Sequence, residues 1–379
     1  MVAFEPTRCR FARWAFTWGR WLLVFAGAGT FAWFVIATST EPQAQSTEPE
    51  QPFAQVGRRD YHTPVWSLSF SADGSYLAAA TLTGEVWLEE RATGRVVGLE
   101  RRHWNSVRSL SFAPVGHVLA VVGNLPAVRL WDVATDSEPA TIEVESGFTR
   151  AVAFSADGAM LAVSERRGRG EGGVVSIWDW RKHCRIAVLA GHRGEINALA
   201  CSRDGSRLAS ADSQGFVKVW DLATRRERMS VKAHEFGRII QSLAFSPDGT
   251  LLVVAVHFER EVRLWDAASG APRGTLPTTG SGVHALAFAP HGPTLAMARG
   301  DGAVSLWDIV GRREMGILRA GDAMLQSLAF SPDGRQLATG GTDGAVRLWD
   351  MAQALGGRNS SAQSPDPNPL PVGSPTIPG

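Results

Sequence analysis

A short alternation of apolar and polar positions recurs along most of the chain, and each copy runs into a tight turn. The alternating segments are LSF, LSF, VAF, LAC, LAF, LAF and LAF, and the turns after them have forms such as SADG, SRDG or SPDG. Seven glycines close these turns, namely Gly74, Gly116, Gly158, Gly205, Gly249, Gly292 and Gly334. Alternation of period two is typical of a strand that buries one face, so each copy predicts a strand and a turn.

Three further apolar runs follow each turn. The first resembles LAAA or LATG, the second resembles VRLWD, and the third is a weaker segment such as RIAVLAG. Copies without insertions repeat every 42 residues. The pattern predicts four short antiparallel strands in each unit, and since such a unit cannot bury both faces alone, successive units are expected to stack.

The GH pair at Gly191-His192, the SPDG turns and the terminal Trp-Asp pairs together resemble the WD-repeat β-propeller family. The resemblance covers residues 53–352 in seven copies. It implies an all-β fold, a seven-bladed β-propeller of four-stranded antiparallel blades. The repeats are approximately residues 61–102, 103–144, 145–190, 191–232, 233–277, 278–319 and 320–352.

In that family a histidine, a serine or threonine, an aspartate and the tryptophan form a hydrogen-bonded set within a blade. The matching residues are His192, Ser210 and Trp220 in repeat four and Thr339, Asp343 and Trp349 in repeat seven. Gln214 stands at the aspartate position of repeat four, and Asp322 stands at the histidine position of repeat seven. Glu89-Glu90 replaces Trp-Asp in repeat one, and Leu125 replaces the turn aspartate in repeat two. No repeat is therefore expected to hold the complete set, and apolar packing between sheets should define the blades.

Repeat seven ends after its third predicted strand, at Trp349-Asp350. Residues 53–60, just before repeat one, are the natural replacement for its outer strand, because pairing the first and last repeats leaves no wide sheet edge. The family resemblance implies the same closure.

Residues 21–38 carry no charge and predict a transmembrane helix. At ~1.5 Å per residue the stretch extends ~27 Å, close to the ~30 Å hydrocarbon thickness of a bilayer. Four arginines precede it in the basic tail of residues 1–20, and an acidic flank follows it. The positive-inside rule then places the N-terminus in the cytoplasm and the repeats on the extracytoplasmic side. The alternatives are a cleaved signal peptide, with a secreted or periplasmic product, and a buried helix.

The remaining segments and the charge narrow the classes of partner. Residues 39–52 are polar and predict a disordered linker, and residues 353–379 predict a Pro-rich disordered tail. The net charge of +1 gives no general attraction to nucleic acid, so none is expected as a partner. Three scattered cysteines suggest neither a disulfide framework nor a zinc site.

Motifs for chemistry are absent from the sequence. The nine histidines form no HxH or HxxxH pair, and neither Cys-x-x-Cys, GxSxG nor a phosphate-loop motif occurs. We therefore predict no catalytic residues, no metal ligands, no cofactor and no enzymatic activity. The competing class is an exported enzyme or small-ligand sensor with a polar pocket at the mouth of the central channel, lined by residues such as Arg150, Glu195, His284 and Gln326.

Differences in repeat length predict the binding surface. Eight residues exceed the regular spacing, five in repeat three, two between repeats four and five, and one in repeat five. All can be placed in loops at one face of the propeller, and such variation commonly marks the binding face. The candidate partner-binding residues are Trp104, Arg166, Arg167, Arg169, Phe236, Arg238, Phe258 and Arg260. Arginine suits carboxylate or phosphate, and exposed phenylalanine suits an apolar anchor.

These features predict a membrane-tethered, non-catalytic scaffold that recruits a protein or peptide through the loops of one face. An acidic segment is one option for the partner, and the membrane is contacted through residues 21–38. The alternative for the loops is a solvated surface, since glutamates interleave with the arginines.

Overall fold

The described residues form only β-structure. The computed structural model describes residues 54–100, 106–135, 140–145, 148–166, 168, 172–234 and 238–351. Within them, 28 strands form seven sheets of four antiparallel strands, which confirms the predicted seven-bladed β-propeller. No helix within the described residues is both long enough and apolar enough to cross a membrane. The predicted helix at residues 21–38 lies outside the described residues.

The strands run in chain order from the innermost to the outermost position of each blade. Strand β1 (Gln55–Asp60) precedes blade one. Blade one contains β2 (Val65–Phe70), β3 (Tyr76–Thr81), β4 (Val86–Glu90) and β5 (Val96–Glu100). Blade two contains β6 (Val107–Phe112), β7 (Val118–Gly123), β8 (Ala127–Asp132) and β9 (Ala140–Glu143). Blade three contains β10 (Val152–Phe154), β11 (Leu161–Arg166), β12 (Gly173–Asp179) and β13 (Cys184–Ala190).

The other four blades repeat this order. Blade four contains β14 (Ile196–Cys201), β15 (Arg207–Asp212), β16 (Phe216–Asp221) and β17 (Arg226–Lys232). Blade five contains β18 (Ile240–Phe245), β19 (Leu251–Val256), β20 (Glu261–Asp266) and β21 (Pro272–Pro277). Blade six contains β22 (Val283–Phe288), β23 (Thr294–Arg299), β24 (Ala303–Asp308) and β25 (Arg313–Arg319). Blade seven contains β26 (Leu325–Phe330), β27 (Gln336–Gly341) and β28 (Ala345–Asp350).

The Ser-x-Asp-Gly turns join the first strand of a blade to the second. In blade four, Ser202 Oγ donates to Asp204 Oδ1, and the amide of Gly205 donates to the carbonyl of Ser202. Gly205 has a φ of 70°, a left-handed conformation that is strained for a residue with a Cβ. The recurrence of glycine at this position therefore follows from backbone geometry.

The core lies between the blades rather than inside any one of them. Seven apolar clusters of buried residues are present among the described residues, and each joins two neighbouring blades. The cluster between blades four and five, for example, contains Val219 from β16 and Leu252 from β19. The innermost strands of neighbouring blades also touch all the way round, including β26 with β2. The blades thus stabilise one another in a closed ring, as the repeat argument requires.

The repeated tryptophan has one packing role, which is to bury its ring against the preceding blade. Trp131 packs into the cluster with blade one, Trp220 into that with blade three, and Trp349 into that with blade six. Blade one has Glu89 at this position, facing blade seven. Its buried carboxylate accepts from Arg91 at 2.5 Å and Arg59 at 3.5 Å, so an ion-pair cluster replaces the ring.

Strand β1 completes blade seven as its fourth strand. The sheet order is β1-β28-β27-β26, and the antiparallel register pairs Arg58 with Arg347 and Asp60 with Ala345. Arg59 of β1 reaches blade one, where it contacts Glu89 and the carbonyl of Gly94. The N-terminal strand therefore holds the last blade and the first blade together.

Candidate interaction face

The strands on either side place the three connections that hold the additional residues at one end of the blades. These connections are residues 167–172 between β11 and β12, residues 233–239 between β17 and β18, and residues 257–260 between β19 and β20. In an antiparallel blade, the connection into the first strand and the one between the second and third strands leave from the same end. We call this end the insertion face, and the opposite end, which carries the Ser-x-Asp-Gly turns, the turn face.

The structure separates the predicted partner-binding residues into two groups. Arg238, Phe258 and Arg260 are exposed on blade five. The Phe258 ring contacts the His257 ring at a centroid distance of 3.7 Å, and the charge of Arg238 acts on the same imidazole. Arg166 instead pairs with Glu195 of blade four at 2.9 Å, so it is not part of this group. Trp104, Arg167, Arg169 and Phe236 lie outside the described residues.

Exposed large apolar side chains are concentrated on the insertion face. The described residues include seven such side chains, and four of them lie there. These four are Phe148, 49% exposed, Ile239, 43%, Phe258, 69%, and Met324, 40%. Val115 and Val310 lie on the turn face, in blades two and six. Grouped exposed apolar side chains usually mark a contact surface, whereas scattered ones need no explanation.

Phe258 holds an unusual backbone conformation. Its φ is 60°, in the left-handed region that bulky residues avoid. A Cβ placed on Gly282 would lie 2.9 Å from the Cα of Phe258, so the neighbouring chain passes directly against this turn. The strained turn presents the phenyl ring outward, and strain of this kind is more common at functional positions than elsewhere.

Seven equivalent positions line the channel at the insertion-face end of the innermost strands. Each lies four residues before the last residue of its strand, which is phenylalanine in six blades and Cys201 in blade four. We call these residues the channel-mouth ring: Trp66, Arg108, Arg150, Asn197, Gln241, His284 and Gln326. The prediction of a polar channel mouth included Arg150, His284 and Gln326 but missed the other four. Alignment on the phenylalanine position would have found them.

A break in strand register occurs at the ring position in six of the blades. In blade two, for example, the pairing shifts between Val107 and Ser109, which leaves Arg108 without a partner on β7. The same irregularity occurs in blades one, four, five, six and seven. A bulge redirects the side chain of the extra residue, and bulges are frequent beside functional sites. The ring side chains are thereby removed from the regular alternation of the strand.

Ring residues contact one another across blade boundaries. The guanidinium of Arg108 lies over the Trp66 ring, with Cζ 5.4 Å from its centroid. Arg150 pairs with Glu195 at 2.9 Å, and Glu195 also pairs with Arg166. Around blades one to four, the mouth of the channel therefore combines the Trp66 ring, guanidinium groups and the carboxylate of Glu195.

Two histidines lie on the opposite side of the channel mouth. The rings of His257 and His284 meet edge to face at 5.8 Å, and the Gln241 amide donates to His257 Nδ1 at 2.5 Å. Burial lowers the pKa of both imidazoles, and the positive charge of Arg238 lowers that of His257 further. Both rings are therefore neutral at pH 7.

Blade four contains a complete hydrogen-bonded set, which corrects the prediction that no repeat has one. His192 Nδ1 donates to Asp212 at 2.9 Å, its Nε2 is 2.7 Å from Ser210 Oγ, and Trp220 Nε1 donates to Ser210 Oγ at 2.8 Å. The carboxylate comes from Asp212, two residues before Gln214. In blade seven, Trp349 Nε1 donates to Thr339 Oγ1 at 3.1 Å, whereas Asp343 bonds Arg347 and the amide of Ala345.

Burial and hydrogen bonding act in opposite directions on Asp212. Burial alone would raise the pKa of this carboxyl group, but bonds from His192 and from the amides of Phe216 and Gln214 outweigh it and lower the pKa. Asp212 is therefore ionised and can only accept, so the His192 proton must be on Nδ1. The set fixes the loop before blade four to its second strand, which is a structural role.

The described residues show no chemistry beyond binding that can be assigned to this face. Among them, no group of three or more histidine, cysteine, aspartate or glutamate side chains is placed to hold a metal ion. Cys201 is partly buried against the apolar cluster between blades three and four, and burial raises the pKa of its thiol to about 12, so it is a small apolar packing residue rather than a nucleophile.

Comparison with known proteins agrees with this architecture. Residues 183–221, 225–266, 270–308 and 315–350 each match the family described as WD domain, G-beta repeat. Residues 68–149 match the anaphase-promoting complex subunit 4 WD40 domain.

Three curated relatives show the extent of the similarity. The chain is 28% identical over 53% of its length to transcription factor unc-37 of Caenorhabditis elegans. It is 26% identical over 68% of its length to the transcriptional corepressor LEUNIG_HOMOLOG of Arabidopsis thaliana. It is 39% identical over 23% of its length to the small ribosomal subunit protein RACK1 of Glycine max. The matched regions span 31%, 32% and 26% of these relatives, respectively. The repeat matches, the relatives and the seven-bladed fold together support the assignment of this chain to the WD-repeat family.

Proposed function

We propose that this propeller is a non-catalytic scaffold that binds a protein or peptide on its insertion face. The observation that carries the proposal is the concentration of exposed apolar side chains there, beside loops of irregular length. The names of the three relatives reported above are those of a transcription factor, a corepressor and a ribosomal subunit protein, and none is that of an enzyme. An interaction scaffold is the function that fits both observations.

The contact centres on blade five. Ile239 and Phe258 supply two apolar anchors, and the exposed guanidinium groups of Arg238 and Arg260 flank them. Binding energy at such surfaces is carried by a few aromatic and arginine residues around an apolar centre. A segment with an apolar side chain next to acidic residues matches this arrangement.

We expect the double variant Ile239→Ser, Phe258→Ser to recover the native partners at least about tenfold less well, because both anchors are lost. The measurement is quantitative pull-down of the full chain from its native cells. The matched control is Val115→Ser, Val310→Ser, which removes two exposed apolar side chains from the turn face and should leave recovery unchanged. Equal recovery with both double variants would reject the insertion face as the contact surface.

We also propose that residues 21–38 anchor the chain in a membrane, with the propeller on the extracytoplasmic side. The support is the uncharged length of the segment and the arginines before it. A compartment-dependent reporter fused after Gly357 should be active only outside the cytoplasm. A cytoplasmic signal would overturn the orientation, and a shortened N-terminus in the mature protein would indicate signal cleavage instead.

A further inference from the structure

Arg108 lacks the carboxylate partner that several other arginines of the insertion face have. Within the described residues, no carboxylate oxygen lies within 4.0 Å of its guanidinium, and its Nε is buried without a hydrogen bond. Three other arginines of this face that are buried or half-buried each pair with a carboxylate: Arg263 with Glu259, Arg299 with Asp301 and Arg347 with Asp343. An arginine side chain stays protonated in proteins, so Arg108 brings a positive charge to the channel mouth.

The neighbours of Arg108 do not neutralise this charge. The face of the Trp66 ring lies against its guanidinium. Burial lowers the pKa of Arg108, and the positive charge of Arg150 lowers it further. Glu195, an acidic residue of the same face, already pairs with Arg150 and Arg166. The cation–π contact with Trp66 stabilises the guanidinium but supplies no counter-charge, and the like charge of Arg150 opposes it, so Arg108 lacks a counter-ion within the described residues.

The unpartnered polar atoms of the ring are mostly hydrogen-bond donors. Buried nitrogens without a partner in the described structure occur on four ring residues: Trp66 Nε1, Arg108 Nε, Asn197 Nδ2 and His284 Nδ1. The first three can only donate. Buried donors are normally satisfied, and a group of donors without acceptors is completed by a ligand rich in lone pairs.

We propose that the channel mouth between blades one and three binds an oxyanion group, carboxylate or phosphate, carried by the bound peptide. Arg108 makes the contact with its planar donor fork, which matches the geometry of both groups. The Trp66 ring packs against the guanidinium, and the bulge at Arg108 takes this residue out of the regular pairing with β7. This inference rests on the proposed function, since it assigns the acidic group of the partner to a position in the channel rather than to the rim of blade five.

The test uses the full chain in detergent and a fluorescein-labelled octaglutamate peptide, with binding measured by fluorescence anisotropy. We expect saturable binding by the wild type and no binding of the matched octaglutamine peptide. Arg108→Gln should weaken octaglutamate binding at least about tenfold, the effect typical of losing a charge-assisted contact. Arg335→Gln is the control, because it removes an arginine whose side chain is 79% exposed on the turn face. Octaglutamate binding that is absent, or equally weak in both variants, would overturn the proposal.

A measurement of Tm shows whether Arg108→Gln is folded, and a second variant is available if it is not. Since the described structure gives Arg108 no carboxylate partner, Arg108→Gln should keep the Tm of the wild type. If it does not fold, Arg108→Lys keeps the charge but loses the fork, and binding about threefold to tenfold weaker than wild type is expected. Wild-type affinity in a folded Arg108→Lys protein would contradict the proposed contact.

The source of the anion is resolved by competition. Displacement of octaglutamate by inorganic phosphate at lower concentration than by acetate would favour a phosphopeptide, and the reverse order would favour an acidic segment. Displacement by neither anion would contradict the site. If Arg108→Gln binds native partners normally while Ile239→Ser, Phe258→Ser does not, the scaffold function stands and this inference falls.

Discussion

Replacement of Asp212 with alanine is expected to lower the free energy of unfolding by about 3–5 kcal/mol, because several buried donors lose their acceptor at about 1–3 kcal/mol each. Asp212 is fully buried and accepts bonds from His192 Nδ1 at 2.9 Å and from the amides of Gln214 and Phe216, both at 2.9 Å. The variant leaves these donors buried without an acceptor. For a domain of this size the Tm should fall by roughly 10 °C, which calorimetry or circular dichroism would measure.

Gln214→Ala is the matched control for this prediction. Gln214 is the residue that the repeat alignment places at the aspartate position, and its side-chain amide makes only a 3.5 Å contact with the carbonyl of Arg193. Its replacement should change the stability by less than about 0.5 kcal/mol. A larger loss with Gln214→Ala than with Asp212→Ala would show that the hydrogen-bonded set has been assigned to the wrong residue.

Deletion of residues 1–60 is expected to destabilise the propeller by on the order of 5 kcal/mol, from several ladder hydrogen bonds at about 1 kcal/mol each. Without β1, the backbone of β28 becomes an unpaired sheet edge, and Arg59 no longer reaches Glu89. An exposed edge of this length is a template for pairing with another chain. We therefore expect a lower Tm together with concentration-dependent association, measured by thermal unfolding and analytical ultracentrifugation.

Deletion of residues 1–53 separates the effect of β1 from that of the preceding chain. This variant keeps Gln55–Asp60 and also Ala54, whose carbonyl accepts from the amide of Asp350. It should unfold at the temperature of the full chain. If both deletions have the same Tm, β1 contributes nothing to closure and another element must hold blade seven to blade one.

The fold could be predicted from the sequence because its signals are local and repeated. Each turn glycine, each alternating strand and each tryptophan recurs at a fixed spacing, so errors in one copy are corrected by the others. The outer strand of blade seven was predicted by counting alone, and the sheet order places β1 in that position. Periodicity thus determines the number of blades and the strand order.

Residues that depart from the repeat were harder to predict, since their contacts depend on three-dimensional proximity. Asp212 lies at a position where the family pattern places no acid, and its role depends on the loop that brings His192 to it. Glu89 lies at a tryptophan position, and the sequence gives no sign that Arg59 and Arg91 meet there. Each of these carboxylates depends on a partner distant in sequence, His192 for Asp212 and Arg59 for Glu89, and no repeat alignment reveals such contacts.

The candidate surface was predicted only in part. Loop lengths predicted the end of the blades at which the additional residues emerge, and Phe258 is exposed there. They did not reveal that Arg166 pairs with Glu195, or that Ile239 and Met324 are exposed on the same face. The predictions for Trp104, Arg167, Arg169 and Phe236 fall outside the described residues and stay predictions.

The central claim is that partners bind the insertion face of the ring. Hydrogen-deuterium exchange of the full chain, alone and with its captured partner, tests this claim directly. The account predicts slower exchange on binding at residues 238–239 and 257–260, with no change at the Ser-x-Asp-Gly turns of residues 71–74 and 331–334. Protection confined to those turns, with unchanged exchange in the loops of blade five, would contradict it.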